Sequence, residues 1–136
     1  MKILFVLQNA YNSEKYNFKN EQEWEEDLQK SHTGRRLLEM VPPGADIVVV
    51  NASKEIGDNP DSLFPADPEY IQSKIDQHHP DCICACGVVA QNGLKALGHA
   101  YIPTPHPAYR ALSKQYTAGI RSLLQALTVL KDNAII

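Results

Sequence analysis

The sequence lacks any apolar run close to the roughly 20 residues that a membrane-spanning helix needs, although 43% of its 136 residues are hydrophobic. The N-terminal segment KILFVL (2–7) is too short for a signal peptide and has no small-residue cleavage site. We therefore expect one cytoplasmic domain spanning residues 1–136, with no membrane contact. No obligate protein partner is evident.

The chain also lacks an excess of positive charge. Thirteen Lys and Arg residues face 16 Asp and Glu residues, which gives a net charge of −3. Because this balance supplies no overall attraction to nucleic acid, any DNA contact must depend on a local basic surface. An acidic run at 21–27 is expected to form a solvated helix face, and it would repel DNA if it lay near a binding rim.

Cysteine is scarce, and its spacing does not fit a metal cluster. Cys82, Cys84 and Cys86 alternate along one strand-like segment, so their thiols should share one face of a sheet. There is no fourth cysteine for a cluster or a structural zinc, and a core role is expected. The chain also lacks a glycine-rich phosphate loop and clustered carboxylates, so we expect no metal and no organic cofactor.

What is present is an alternation of strand and helix patterns. Apolar runs predict strands at 2–7, 45–50, 82–86 and 100–102. Periodicity and capping residues predict helices at 21–30, 34–41 (after a Thr33 cap), 68–78, 88–97 and 113–131. The order predicts an α/β fold, a three-layer α/β/α sandwich around a mainly parallel four-stranded sheet. Irregular segments at 8–20, 51–66 and 103–112 follow three of the strands.

Polar side chains follow all four predicted strands. They lie in QNAY (8–11), at Asn51, in GVVAQ (87–91) and in PHPA (105–108). The carboxyl ends of parallel strands meet at one edge, where such sheets bind ligands. His106 lies between two prolines that restrict its backbone. Amides and an imidazole suit the hydrogen-bonding edge of a nucleobase.

These four segments resemble, in order, motifs of the uracil-DNA glycosylase superfamily. QNAY (8–11) is similar to Gly-Gln-Asp-Pro-Tyr-His, VVN (49–51) to Leu-Leu-Asn, CGVVAQ (86–91) to Trp-Gly-x-x-Ala-Gln, and PHPA (105–108) to the His-Pro-Ser loop. The similarity spans nearly the whole chain. It implies a hydrolase that cleaves the N-glycosidic bond of a damaged, mismatched or modified pyrimidine extruded from DNA, without a cofactor.

The resemblance implies a role for each matching residue in the base pocket. Asn51 would bind the Watson–Crick edge of the pyrimidine, and His106 would hydrogen-bond its carbonyl as negative charge develops on the leaving base. Tyr11 would form the wall beside the pyrimidine C5 position. Gln8 would contribute backbone amides, or its side chain, to the pocket floor. Phe18, with Tyr16 as the alternative, would stack on the base.

The same resemblance implies DNA contacts. Tyr109 and Arg110 would lie at the tip of the loop that enters the DNA, and Ala108 replaces a serine that would contact phosphate. Arg35 and Arg36 lie beside a predicted helix N-terminus that can bind a phosphate. The alternative is an ordinary helix cap with solvated arginines.

Asn9 is the main departure, because the uracil-specific family has an aspartate there. An amide can orient water but cannot take its proton, so slow chemistry is expected. The mismatch-directed branch, with Gly-Ile-Asn-Pro, also has asparagine at this point. Two other functions remain open: an enzyme that acts on a nucleotide or tailors a base, and a non-catalytic nucleotide- or nucleic-acid-binding module. For Asn9 and Asn51, the alternative to a role in the site is to cap the turns that follow their strands.

Overall fold

The computed structural model describes residues 1–14, 16–108 and 113–133. The strands are β1 (Lys2–Leu7), β2 (Ala10–Tyr11), β3 (Asp46–Asn51), β4 (Ile56–Gly57), β5 (Cys82–Cys86) and β6 (Ile102–Thr104). The helices are α1 (Glu21–Leu28), α2 (His32–Leu38), α3 (Pro68–His78), α4 (Val88–Leu97) and α5 (Lys114–Asp132).

The main sheet is parallel throughout, in the order β3-β1-β5-β6. Leu7 at the end of β1 pairs with Asn51 at the end of β3, and Cys86 at the end of β5 pairs with Thr104 at the end of β6. The four carboxyl ends therefore meet at one edge of the sheet. The sequence prediction of an α/β fold with a mainly parallel four-stranded sheet is confirmed.

Side chains alternate along β1 and pack into one of two apolar clusters. Phe5 and its odd-numbered neighbours pack with Leu37 and Leu124, which come from α2 and α5. Leu4 and Val6 pack on the other face against α3 and α4. The sheet thus lies between two helical layers.

The three cysteines share one face, as their spacing predicts. Cys84 and Cys86 are buried in the first cluster, and Cys82 packs against it. Burial raises the pKa of the Cys86 thiol, which keeps it protonated and apolar. Within the described ranges, no group of His, Cys, Asp and Glu could hold a metal ion. None of the helices described is both long and apolar enough to cross a membrane.

The first helix ends two residues earlier than predicted, and β3 and α5 are each shifted by one residue. Two further elements differ in ways that have a structural reason. The fourth strand lies at Ile102–Thr104, two residues later than predicted. Pro103 does not end it, because β6 is an edge strand and an edge strand tolerates a proline. The second helix begins at His32, and its cap is Ser31 rather than Thr33, with the Ser31 side chain accepting from the Gly34 N–H.

A small second sheet was not predicted. Its two strands, β2 and β4, pair in parallel within segments expected to be irregular. Each has two residues, which is too short for a hydrophobic period to be visible.

Gly34 gives the first test of this packing. A Cβ atom there would overlap the Leu28 carbonyl, where α1 approaches α2, whereas Gly119 on α5 has open space around it. We expect Gly34→Ala to lower the free energy of unfolding by about 1–3 kcal/mol or more. Gly119→Ala, the matched control, should raise it by about 0.5–1 kcal/mol because alanine is the better helix former. Urea denaturation measures both, and an unchanged Gly34→Ala midpoint would contradict the close approach.

Candidate functional site

A pocket of about 140 Å³ opens where β1 and β3 end. Its lining comprises Leu7, Asn9, Tyr11, Tyr16, Phe18, Trp24, Asp27, Leu28, Ser31, Thr33, Asn51, His106 and Ala108. An apolar cavity of about 150 Å³ takes one benzene molecule. The pocket therefore has room for one six-membered ring, and a larger ligand would extend outside it.

Most of the residues singled out in the sequence are brought together here. Those in the lining are Asn9, Tyr11, Phe18, Asn51, His106 and Ala108. Gln8, Arg35 and Arg36 are not among the lining residues. The Gln8 carbonyl accepts from the Ser53 N–H at 3.1 Å, which ties the chain after β1 to the chain after β3. Tyr109 and Arg110 lie outside the described residues.

His106 is held close to the end of β5. Gly87 has a φ of +91°, and a Cβ there would lie 3.5 Å from the His106 Cβ. The Gly87 N–H donates to the Thr104 carbonyl at 2.8 Å, which joins the β5 end to the β6 end. This left-handed turn requires glycine, and it fixes the backbone against which His106 packs.

The imidazole of His106 has one defined tautomer. Its Nδ1 accepts from the Ala108 N–H at 3.1 Å, so the ring proton of the neutral form lies on Nε2. Burial lowers the pKa of His106 below its usual 6.5. At neutral pH the site therefore holds an uncharged imidazole with an Nε2–H that can donate.

The Asn9 amide has a fixed orientation. Its Nδ2 donates to the Ala10 carbonyl at 2.9 Å and to the Ser62 carbonyl at 3.2 Å. Only an NH₂ group satisfies two carbonyls, so Oδ1 is left as the acceptor. That oxygen is buried and has no hydrogen-bond partner in the part of the chain described.

Asn51 presents a second buried acceptor. The residue is 2% exposed, and its Oδ1 is also without a partner among the described residues. Its backbone N–H donates to Glu21 Oε1 at 3.2 Å, which ties the end of β3 to α1. Burying an unpaired acceptor costs about 1–3 kcal/mol. Two such oxygens in one pocket indicate a binding site for a molecule that donates hydrogen bonds.

Aromatic rings form one wall of the pocket. Tyr16 and Phe18 stack with ring centroids 5.4 Å apart, and Tyr11 meets Tyr16 edge-on at 6.2 Å. Asn12 positions this wall: its Oδ1 accepts from the Phe18 N–H at 2.6 Å and its Nδ2 donates to the Phe18 carbonyl at 3.3 Å. Sequence reasoning missed Asn12, although asparagine is favoured where a chain turns.

The remaining wall comes from α1 and the start of α2, and it was not predicted. Trp24 and Asp27 line the pocket from α1, and Ser31 and Thr33 line it from the cap and first turn of α2. One carboxylate of the acidic run at 21–27, that of Asp27, therefore lines the pocket, and that of Glu21 accepts from the Asn51 N–H beside it. The Gly34 N–H is bound by Ser31 Oγ at 3.0 Å, which favours the ordinary cap over a phosphate site there.

Comparisons with family models, curated proteins and solved structures found no match to this chain. The pocket offers two buried acceptors (Asn9 and Asn51), a neutral imidazole donor (His106) and an aromatic wall, in a space for one ring.

The His106 environment predicts a pH dependence. Since burial lowers its folded-state pKa, the unfolded chain binds more protons below pH 6.5. We expect stability to fall as the pH drops below about 6.5, and His106→Ala should remove part of that fall. An NMR titration should give a midpoint below 6.5 and the neutral Nε2–H tautomer. A midpoint above 6.5 would contradict the proposed burial.

Asn12 gives a test of the aromatic wall. Asn12→Ala removes both hydrogen bonds to Phe18, each worth about 1 kcal/mol. The Phe18 amide should then exchange with solvent about tenfold faster in NMR hydrogen-exchange measurements. Asn17→Ala, an exposed position in the same segment, should leave this exchange rate unchanged. Equal rates in both variants would show that Asn12 does not hold the segment.

Proposed function

We propose that this protein hydrolyses the N-glycosidic bond of a pyrimidine in DNA. The observation that carries the proposal is the convergence of Asn9, Asn51 and His106 on one ring-sized pocket that holds two buried, unpartnered carbonyl oxygens. Damaged, mismatched or modified pyrimidines are the substrate class, and a cytoplasmic location is part of the proposal.

Recognition of the base follows from the Asn51 amide. The imide edge of uracil or thymine presents an N–H donor beside carbonyl acceptors. Asn51 Oδ1 accepts from that N–H, and its NH₂ donates to an adjacent carbonyl. The aromatic wall of Tyr11, Tyr16 and Phe18 contacts the same pyrimidine ring, through either its face or its edge. The sugar and its phosphates remain outside, because the pocket has no room for them.

Departure of the base is assisted by His106. When the bond between the sugar C1′ and the base nitrogen breaks, negative charge moves onto the carbonyl oxygen of the pyrimidine. The neutral Nε2–H donates to that oxygen from a position fixed by the Ala108 N–H. Asn9 Oδ1 accepts from the attacking water and orients it. An amide takes no proton, so the reaction is slow if Asn9 acts alone.

We further propose that the chain is a short, divergent member of the uracil-DNA glycosylase superfamily. The support is the order of four similar motifs and the place of each one, directly after a strand of the parallel sheet.

One observation favours a second candidate function, an enzyme that acts on a free nucleoside or nucleotide. The acidic helix α1 lies at the pocket, with Glu21 bound to the Asn51 backbone and Asp27 in the lining. Burial, and after it the neighbouring Glu21 carboxylate, raises the pKa of Glu25 on the same helix. Such a rim repels the phosphates of a duplex more than those of a single nucleotide.

Base release tests both functions. Duplex and single-stranded oligonucleotides carrying uracil, a G·T mismatch or 5-hydroxymethylated pyrimidines are compared with the corresponding nucleosides and nucleotides. We expect an abasic product with at least one oligonucleotide. His106→Ala should lower the rate about 100-fold or more, as the loss of one preorganised donor does. His99→Ala is the matched control, because His99 bonds to Gln72 outside the pocket lining.

The outcomes separate the candidates. Release from nucleosides or nucleotides but from no oligonucleotide would replace the DNA substrate with a free one. Absence of release, together with a change in the fluorescence of the only tryptophan, Trp24, on addition of free uracil, would indicate a binding module. Equal rates for wild type and His106→Ala would contradict the role given to the histidine.

A further inference from the structure

Among the residues that the structure describes, the pocket lining contains one carboxylate, that of Asp27. The other titratable side chains in the lining are Tyr11, Tyr16 and His106. A phenol is not a carboxylate base, and His106 Nδ1 already accepts from the Ala108 N–H. Asp27 is therefore the group in the lining that is suited to take a proton from water at neutral pH.

Position 9 cannot supply that carboxylate in this fold. The Asn9 NH₂ group donates to the carbonyls of Ala10 and Ser62. A carboxylate in the same place would set its oxygen against two carbonyl oxygens with no proton between them. Asparagine is thus fixed by its surroundings, and a proton acceptor has to come from another element.

Asp27 is free to serve as that acceptor. The ion pairs in the described ranges are Lys74–Glu21 and Lys131–Asp81, and Asp27 takes part in neither. Asp27 is half-buried, so water can reach its carboxylate. The next residue, Leu28, is buried in the core, and Glu21 on the same helix binds the Asn51 backbone. Helix α1 is therefore anchored to the core and to the end of β3.

We propose that Asp27 is the catalytic base of this site, an inference that rests on the proposed glycosidic hydrolysis. The C1′–N bond breaks and its electron pair leaves with the pyrimidine, whose carbonyl oxygen accepts from His106 Nε2–H. Water, oriented by Asn9 Oδ1, forms the new C1′–O bond, and its proton passes to the Asp27 carboxylate. That proton then passes to the departed base anion through solvent, which restores Asp27. The negative carboxylate also stabilises the positive charge on the sugar.

The test compares Asp27→Asn with Glu26→Gln. Both remove one negative charge from α1, but Glu26 is exposed and does not line the pocket. We expect Asp27→Asn to lower the rate of base release at pH 7 by about 100-fold or more, the usual contribution of a general base. Glu26→Gln should keep the rate within about threefold.

A pH profile distinguishes catalysis from a structural effect. The wild-type rate should fall in acid as a carboxylate takes up a proton, and this limb should be absent in Asp27→Asn. His106→Ala, which removes the imidazole from the pocket, should retain the acid limb. Asp27→Glu should keep the limb at a reduced rate, so that a poorly folding Asp27→Asn leaves the test intact. Calorimetric affinity for free uracil should be unchanged in Asp27→Asn.

The outcomes are distinct. A wild type that releases base, with Asp27→Asn equally active or with the same acid limb, would overturn the role of Asp27 and leave the proposed function standing. A wild type that releases no base from any substrate would overturn the proposed function and, with it, this inference.

Discussion

The pocket depends on the parallel pairing of β1 with a strand on each side. Leu7 is in register with Asn51 on one side, and β5 on the other side carries β6 to the same edge. Three strand ends thereby deliver Asn9, Asn51 and His106 to one place. A slip of one residue would turn every side chain of the slipped strand to the opposite face. Because Phe5 and Val6 pack on opposite faces of the sheet, core packing fixes the register, and the register fixes the site.

The Asn9 amide then decides which chemistry the pocket can perform. Its NH₂ group holds the carbonyl of Ser62, fifty-three residues away, and so fastens the β4–α3 connection to the end of β1. The same two hydrogen bonds leave Oδ1 as a hydrogen-bond acceptor, and an aspartate at position 9 could not make them with an ionised carboxylate. One side chain thus has a structural role and presents a hydrogen-bond acceptor, and the carboxylate proposed for the reaction comes from α1.

The sequence was most informative where local signals were strong. The bounds of β1, β5, α3 and α4 were predicted correctly, because continuous apolar runs, the Asp67 cap and Gly98 mark them. The strand-end half of the pocket followed from the rule that parallel strands share a carboxyl edge. The α1–α2 half did not, because periodicity shows that Trp24 and Leu28 face inward without showing where the helix docks. Asn12 was missed because its partner, Phe18, is determined by the path of the turn between them, and the sequence has no periodic pattern that shows this path.

The acidic side chains of α1 beside the pocket would act on both charged parts of the proposed substrate, the phosphates and the sugar that becomes positive during cleavage. A carboxylate beside the sugar opposes phosphates at longer range, but salt screens that repulsion over roughly 8–10 Å. In the proposed reaction, Asp27 attracts a positively charged sugar from the pocket lining, and its half-buried carboxylate is screened less than an exposed one. His106, kept neutral by burial, adds no positive charge that would cancel it. The arrangement therefore favours a transition state with positive charge on the sugar more than it favours tight binding of a polyanion. Under the proposed function, the charges that stabilise the sugar cation would also weaken the hold on DNA.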